Sequence, residues 1–272
     1  MPIELPGSSA AQRLLWRAGR RLYTYARGEG PNDPHRNGEY WLLRHVLTRS
    51  VRTLHVLLDI GANRGDWTAE ALRLSERSLS VHAFEPSCFS RAILTQRFAD
   101  QSNVTIHSTA LSNESGKATF YSNGDAAGIN SLSSVSGTCT ETVVVGTLDE
   151  FLQREDIAPV AMIKIDTEGF DSLVLRGAEG CLARGAVEVV QFEYNWRWLL
   201  NHACLRDVFE LIRDKPYRLG KLIAHSVDYY DVWHPELDRF FETNCVLVRR
   251  DSPLSELGRS VHFDVSNVAI VN

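Results

Sequence analysis

The sequence predicts an α/β fold in which helices cover both faces of a mostly parallel sheet. Strand-like and helix-like segments alternate along the chain, a pattern typical of βαβ units. Four apolar runs of strand length end in an acidic residue: Asp59, Glu85, Asp166 and Glu193. Ligands of such folds bind at the carboxyl ends of the strands, so these four acids indicate a binding site as well as a fold.

The core elements follow from the spacing of apolar residues. We predict strands at 54–60, 80–85, 103–108, 161–166 and 186–193, and helices at 66–75, 88–98, 170–183 and 203–214. After Pro216, the segments Tyr217–Ala224 and Thr243–Arg249 resemble a closing hairpin, and Val261–Val271 has the pattern of a last strand.

The alternation of strands and helices is interrupted between residues 112 and 147. Lys117–Tyr121 and Thr140–Val145 alternate polar and apolar residues around a loop rich in serine and glycine, Ser122–Thr138. This pattern predicts an antiparallel insertion near the carboxyl edge of the sheet. We expect the loop to gate access to the site.

Composition excludes several classes of protein. The chain has 272 residues and a formal net charge of −5, which gives no signature of nucleic-acid binding. No apolar run reaches the roughly 18 residues of a membrane span. The five cysteines are widely separated, and an odd number without a signal peptide is typical of a reducing compartment. We therefore expect a cytoplasmic protein that does not bind nucleic acid.

The segment Val56–Gly65 predicts a strand, a tight turn and the start of a helix. Gly61 and Gly65 permit backbone conformations and close ligand approach that a side chain would prevent, and the helix start offers N–H groups to an anion. Glu85 follows Gly65 by twenty residues, the usual offset of an acid that binds ribose hydroxyls.

The order of these residues indicates which class of ligand binds at this turn. An acid, two glycines and a strand-end acid are typical of the S-adenosylmethionine site of class I methyltransferases. The turn lacks the full Gly-x-Gly-x-x-Gly pattern, which disfavours an NAD-dependent oxidoreductase. An ordinary strand, turn and helix with Asp59 as a cap is the structural alternative.

A second motif spans Ala161–Asp171. Alternation along a strand places Lys164 and Asp166 on one face, and a lysine in a buried strand needs a charged partner. We expect that partner to be Asp166, Glu168, Glu193 or Asp59. The pair either only orders the sheet or positions the carboxylates that follow the strands.

Taken together, the motifs resemble the FkbM-type methyltransferases. The residues that carry this resemblance cover about 37–250: Leu58–Gly65, Ala83–Pro86, Ala110–Ser112 with Gly116 and Phe120, Thr147–Asp149, Ile163–Gly169, Leu175–Ala178 and Phe192–Glu193. The resemblance implies a Rossmann-like class I fold with a seven-stranded sheet. It also implies O-methylation of hydroxyl groups, often on sugars of glycolipids, polysaccharides or antibiotics.

The resemblance also implies roles in cofactor binding. Gly61, Asn63 and Gly65 would line the methionine end of S-adenosylmethionine, and Glu85 would hold the ribose. The adenine would contact two residues just past a strand, Ala110 and Leu111. Asp59 would orient the turn or reach the ammonium group through water.

Methyl transfer to an alcohol requires a base, since the hydroxyl must lose its proton. Our candidates are Asp166, Glu168 and Glu193, with Lys164 positioning the carboxylates. We expect His107, His202 and His225 to be structural, with His225 the first alternative base. A Mg²⁺-dependent variant that uses Asp166 and Glu193, and a binding module without catalytic activity, are further alternatives.

The chain divides into three predicted parts. Residues 1–36 form an N-terminal helical extension, 37–250 the methyltransferase domain and 251–272 a C-terminal extension. The stretch 10–27 is basic and amphipathic, and we expect it to pack on the domain or on a second subunit of a homodimer. A membrane-surface helix is the alternative. The expected partner in the site is a small-molecule or glycan acceptor.

Overall fold

The computed structural model describes residues 9–29, 32–49, 54–122, 132 and 139–272. Eight α-helices lie within these ranges. They are α1 (Ala10–Ala26), α2 (Glu39–Arg49), α3 (Asp66–Leu74), α4 (Cys88–Arg97), α5 (Leu148–Arg154), α6 (Asp171–Arg176), α7 (Glu179–Ala183) and α8 (Leu205–Ile212).

Thirteen strands lie in the same part of the chain. They are β1 (Leu54–Ile60), β2 (Ser78–Phe84), β3 (Val104–His107), β4 (Ala110–Leu111), β5 (Gly116–Ser122), β6 (Cys139–Gly146), β7 (Val160–Ile165), β8 (Val187–Tyr194), β9 (Tyr217–Ile223), β10 (Ser226–Tyr230), β11 (Thr243–Arg249), β12 (Gly258–Phe263) and β13 (Ala269–Val271).

The main sheet confirms the predicted architecture. Seven strands lie in the order β3-β2-β1-β7-β8-β11-β9. The five from β3 to β8 are parallel, and β11 runs antiparallel to both of its neighbours. Strands β10, β12 and β13 extend the edge beside β9. The four strand-end acids therefore follow neighbouring parallel strands and lie at one edge of the sheet.

Helices cover both faces of this sheet. Every residue of β7 and β8 is buried, as expected for central strands of a parallel sheet. One core cluster packs helices α5 to α8 on one face. On the other face, a second cluster packs α2 and α3. Both clusters fix the carboxyl ends of β7 and β8 relative to β1.

The interval 112–147 forms the predicted antiparallel pair. Strands β5 and β6 are antiparallel, and β4 lies beside β6, so the three make a small separate sheet. Most of the loop Ser122–Thr138, namely 123–131 and 133–138, lies outside the described residues. The predicted gating by this loop stays a prediction.

Three details differ from the predicted elements. The helix expected at 170–183 is divided into α6 and α7, because the Gly177 carbonyl accepts from the Asp149 N–H at 2.9 Å and the Asp149 carboxylate accepts from the N–H groups of Gly180 and Cys181, each at 2.6 Å. Strand β10 was not predicted, and it pairs with β9. The strand expected at 261–271 is the hairpin of β12 and β13.

The helix predicted at 10–27 is present as α1, but none of its residues is buried. Packing on the domain is limited to its last turn, where Tyr23 contacts Phe241. Packing on a second subunit stays a prediction. Within the described residues, no helix is long and apolar enough to cross a membrane.

Candidate active site

A cavity of about 360 Å³ lies at the carboxyl ends of β1, β2, β7 and β8. This volume is in the usual range for small-molecule sites. Its lining combines the turns that follow these strands with β4, β5 and a segment before α2: Asn32, Pro34, Ile60, Gly61, Asn63, Phe84, Glu85, Pro86, Ser90, Thr109, Ala110, Leu111, Phe120, Leu132, Asp166, Thr167, Glu168, Phe170 and Glu193.

The turn after β1 forms one wall. Gly61 has φ 85°, and its N–H donates to the carbonyl oxygen of Phe84 at 3.0 Å. A Cβ atom at Gly61 would lie 1.9 Å from the carbonyl oxygen of Asp166. The position therefore requires glycine both for its backbone conformation and for the close approach of β7.

Glu85 is buried and lines the cavity beside this turn. Its two carboxylate oxygens each accept one backbone N–H at 2.8 Å, from Asn63 and from Ser87. Burial raises the pKa of Glu85 to about 7. Each oxygen retains capacity for a further hydrogen bond, which a pair of vicinal hydroxyls could supply.

Two predicted cofactor residues do not line the cavity. Gly65 has φ 80° and begins α3, and a Cβ atom there would lie 2.4 Å from the Phe98 ring. Its glycine is explained by packing against α4. Asp59 is fully buried and accepts the Thr68 hydroxyl at 2.7 Å, so it fixes α3 against β1. Both residues therefore stabilise the turn on the side that faces away from the cavity.

Ala110 and Leu111 lie on the cavity wall as predicted. They form β4, which pairs with the end of β6. Both are buried, and Phe120 and Leu132 lie on the same lining. This apolar surface suits the face of a purine ring.

Three carboxylates at the ends of β7 and β8 also line the cavity: Asp166, Glu168 and Glu193. Lys164 donates to Asp166 at 2.8 Å, so the predicted partner is confirmed. Arg197 lies 2.9 Å from Glu168. Glu193 accepts from the side-chain amide of Asn195 at 2.7 Å.

Crowding of these carboxylates disfavours full ionisation. Burial, together with Asp166, raises the pKa of Glu168 to about 8. Burial and the charges of Asp166, Asp171 and Glu168 raise the pKa of Glu193 well above its usual range. A cluster of this kind retains or accepts a proton near neutral pH.

Lys164 compensates part of this negative charge from below the cavity. Burial would lower the pKa of its ammonium group, but Asp166, Glu39 and Asp59 raise it well above the usual value. Glu39 is itself buried and accepts from Gln191 at 2.5 Å. One ammonium group thus faces three carboxylates, two of them outside the cavity.

Sequence reasoning missed three charged residues of this network: Glu39, Asp171 and Arg197. Asp171 accepts the Thr167 hydroxyl at 2.9 Å and the backbone N–H of Glu193 at 3.1 Å. It therefore links the turn after β7 to the carboxyl end of β8. Its position after Gly169 was a usable signal, whereas Glu39 and Arg197 lie in segments with no strand-end pattern.

The histidines lie outside the cavity lining. His107 stacks on Phe84, and burial lowers its pKa to about 4. His202 ends the 3-10 helix Trp196–Asn201, and His225 lies exposed in the turn between β9 and β10. Among the described residues, no three His, Cys, Asp or Glu side chains are arranged to hold a metal ion.

Comparison with known families decides the assignment. The family model described as "Methyltransferase FkbM domain" matches residues 59–219, more than half of the chain. The chain belongs to the FkbM methyltransferase family. No curated protein matches it.

Solved structures similar to this FkbM-family methyltransferase include an FkbM methyltransferase from Methylobacillus flagellatus KT. The two share 14% identity over 87% of this chain and 60% of that one, with a TM-score of 0.45. This chain thus spans less than two thirds of that protein.

Two other solved structures are O-methyltransferases. One, from Bacillus cereus in complex with SAH, shares 12% identity (90% and 94% coverage, TM-score 0.44). The other, TomG from Streptomyces achromogenes in complex with SAM, shares 14% (90% and 92%, TM-score 0.44). The family assignment rests on the family model, which matches residues 59–219.

The cofactor of this FkbM-family methyltransferase is S-adenosylmethionine. The residues present fit it. The cavity has a suitable volume, the turn at Gly61 admits close approach, and the Glu85 carboxylate has hydrogen-bonding capacity left for hydroxyls. The apolar surface of Ala110 and Leu111 lies in the same cavity.

Proposed function

We propose that this protein transfers the methyl group of S-adenosylmethionine to a hydroxyl group of a sugar, in a glycolipid, polysaccharide or natural product, and that it acts in the cytoplasm. One observation carries the proposal. A single cavity combines lining residues suited to the cofactor, Gly61, Glu85 and Ala110, with three carboxylates.

On the cofactor wall, Glu85 accepts hydrogen bonds from the two ribose hydroxyls. Its position is fixed by the N–H groups of Asn63 and Ser87, so little ordering is needed when the ligand binds. Gly61 and Asn63 contact the methionine part, and Ala110 and Leu111 contact the adenine. When bound, the cofactor supplies a methyl group that reacts with a nucleophilic oxygen.

On the acceptor wall, the carboxylates orient the hydroxyl and remove its proton. Alignment of the oxygen with the methyl group reduces the entropic part of the barrier, and a positioned base contributes about 10²–10⁴-fold. The raised pKa values of Glu168 and Glu193 make these carboxylates better proton acceptors than ordinary ones. Lys164 holds Asp166 in place through its hydrogen bond.

The acceptor side has features that suit a polyhydroxylated ring. Phe170, two residues after Glu168, presents aromatic surface to the cavity. Apolar ring faces pack against the C–H faces of a sugar, while carboxylate oxygens accept hydrogen bonds from its hydroxyl groups. Asn32 adds a side chain that both donates and accepts.

The decisive experiment supplies the purified protein with S-adenosylmethionine and extracts of glycolipids, polysaccharides and small glycosides. A product heavier by about 14 daltons on a sugar hydroxyl, located by fragmentation, supports the proposal. Binding of S-adenosylhomocysteine with no methylated product in any extract would instead favour a catalytically inactive binding module. Methylation confined to amines would overturn the choice of oxygen.

A chelator distinguishes the Mg²⁺-dependent variant of the same reaction. With Lys164 as the cation beside Asp166, we expect turnover to be unchanged by chelation. Loss of activity with a chelator, restored by added Mg²⁺, would assign Asp166 and Glu193 to a metal instead.

A further inference from the structure

Helix α1 separates its charged and apolar residues onto two faces. Successive residues of a helix are rotated by about 100°, which places four arginines within one sector and the leucines in another. The helix contains no acidic residue. The basic face comprises Arg13, Arg17, Arg20 and Arg21, and the apolar face comprises Leu14, Leu15, Ala18, Leu22 and Tyr25.

The apolar face is not covered by the rest of the described chain. Leu14, Leu15, Leu22 and Tyr25 are 69%, 73%, 70% and 83% exposed. Single exposed apolar residues are common, but a contiguous group of this size on one helix indicates an interaction surface.

The helix is fixed to the domain at its carboxyl end. Tyr23 donates to Glu236 at 3.1 Å, and Arg27 pairs with the same carboxylate at 2.7 Å. Lys221 pairs with Glu29 at 2.7 Å, just after the helix. Arg27 is thus engaged with the domain, and Arg17, Arg20 and Arg21 lie along the part of α1 that precedes this attachment.

A second apolar surface lies close to this attachment. The turn between β12 and β13 exposes Val265 fully and Val268 by 56%. Val268 and Tyr23 line one cavity of about 370 Å³. The turn is therefore a neighbour of the end of α1.

We infer that α1 lies on an anionic lipid surface, with its leucines in the acyl boundary and its arginines at the phosphate groups. A basic and apolar division of this kind is typical of interfacial helices. The net charge of the chain is −5, which would repel such a surface, so the positive charge concentrated on α1 sets the orientation of approach. Tyr25, which lies on the apolar face, suits the headgroup level.

A second copy of the chain is a poorer occupant on grounds of charge. A twofold pairing places the same surface of each copy at the interface. Arg17, Arg20 and Arg21 of each α1 would then meet near their equivalents, with no acidic residue on either helix to compensate them.

The test is flotation of the full chain with vesicles, which needs no methyl transfer and is therefore independent of the proposed function. We expect binding to phosphatidylcholine vesicles with about one third phosphatidylglycerol to exceed binding to pure phosphatidylcholine by about tenfold or more. The variant R17E/R20E/R21E should lose this preference. The matched control R154E/R184E/R213E changes net charge equally through exposed arginines elsewhere and should keep it.

Two further variants separate charge from apolar contact. R17K/R20K/R21K should bind anionic vesicles within about threefold of wild type, and L14S/L15S/L22S should lose binding. Equal binding by the Glu variant and its control would overturn the inference. So would absence of vesicle binding together with a wild-type dimer that L14S/L15S/L22S converts to a monomer, because the face would then belong to a second copy.

Discussion

A Cβ atom on Gly61 would lie 1.9 Å from the backbone carbonyl oxygen of Asp166. The two residues follow neighbouring strands β1 and β7, and the Asp166 N–H donates to Ile60 at 2.9 Å. The turn after β1 and Asp166, the first of the proposed catalytic carboxylates, are thus joined by direct backbone contact. A change in either strand end moves the other.

Replacement of Gly61 by alanine should lower the free energy of unfolding by about 2 kcal/mol or more, since it combines a positive φ with an overlap against backbone. Urea denaturation measures this. The control is Gly116→Ala, because Gly116 has no atom within 4 Å of its Cβ position. A Gly61→Ala variant as stable as that control would show that the two strand ends can separate easily.

Glu85→Gln should weaken binding of S-adenosylhomocysteine by about 1–3 kcal/mol, because the ribose hydroxyls lose a charged acceptor. Calorimetry at pH 8, above the pKa of about 7 for this buried carboxyl, measures the change. Glu179→Gln, on an exposed carboxylate paired with Lys215, serves as control. Unchanged affinity for the Glu85 variant would remove this residue from the ribose role.

Lys164→Met should lower the free energy of unfolding by about 3–5 kcal/mol, because it leaves buried carboxylates without their cation. Adding Glu39→Gln to that variant should restore part of the loss, since Glu39 is one of the carboxylates that face the ammonium group. Lys117→Met, at an exposed position of β5, should be nearly neutral. Equal stability of the two single variants would contradict a compensating role for Lys164.

Asp166→Asn and Glu193→Gln should each lower kcat by about 10²-fold or more, with cofactor affinity nearly unchanged. Steady-state kinetics and calorimetry together separate the two effects. Glu188→Gln is the matched control, since Glu188 is a buried carboxylate on the same strand as Glu193 and accepts from Ser252 outside the cavity. Turnover within about threefold of wild type for both site variants would place the base elsewhere, and His225 would be the next residue to replace.

The free energy of unfolding should decrease as pH rises from about 5 to about 8, because the buried carboxyls of the site lose their protons in this range. Burial raises the pKa of Glu85 and Asp171 to about 7, and burial and Asp166 raise that of Glu168 to about 8. The folded state therefore binds protons that the unfolded chain releases, so the stability these groups contribute is complete below their unfolded pKa values and is lost above their folded ones.

Denaturation over this pH range tests the sign of that change. Glu168→Gln should flatten the decrease, because an amide does not titrate. Glu70→Gln should not, since Arg73 lowers the pKa of that carboxyl. A wild-type stability that increases steadily from pH 5 to 8, with no difference between the two variants, would contradict the raised values.

The central strands and the strand-end acids were predictable because a parallel sheet encodes them locally. Each strand is an apolar run followed by its acid, and the parallel arrangement brings Asp59, Glu85, Asp166 and Glu193 to one edge without knowledge of the loops. Their orientation was less predictable. Asp59 points behind the turn to Thr68, which depends on how α3 packs.

Features that depend on distant contacts were missed. Glu39 reaches Lys164 only because α2 packs beneath β7, and no pattern near residue 39 indicates this. The break between α6 and α7 depends on hydrogen bonds to Asp149, which lies outside both helices. Strand β10 has a short polar and aromatic pattern, and its pairing with β9 decides its conformation.

The segment before α2 gives the cavity a composite origin. Asn32 and Pro34 line it, yet both lie outside residues 59–219, the part that the family model matches. Replacing the segment that contains Asn32 and Pro34, with residues 59–219 unchanged, should therefore alter substrate preference. A fragment trimmed to the matched residues would lack Leu54–Leu58 of β1, all of β11, one side of the cavity and the Glu39 carboxylate, and would be a poor reagent for screening substrates.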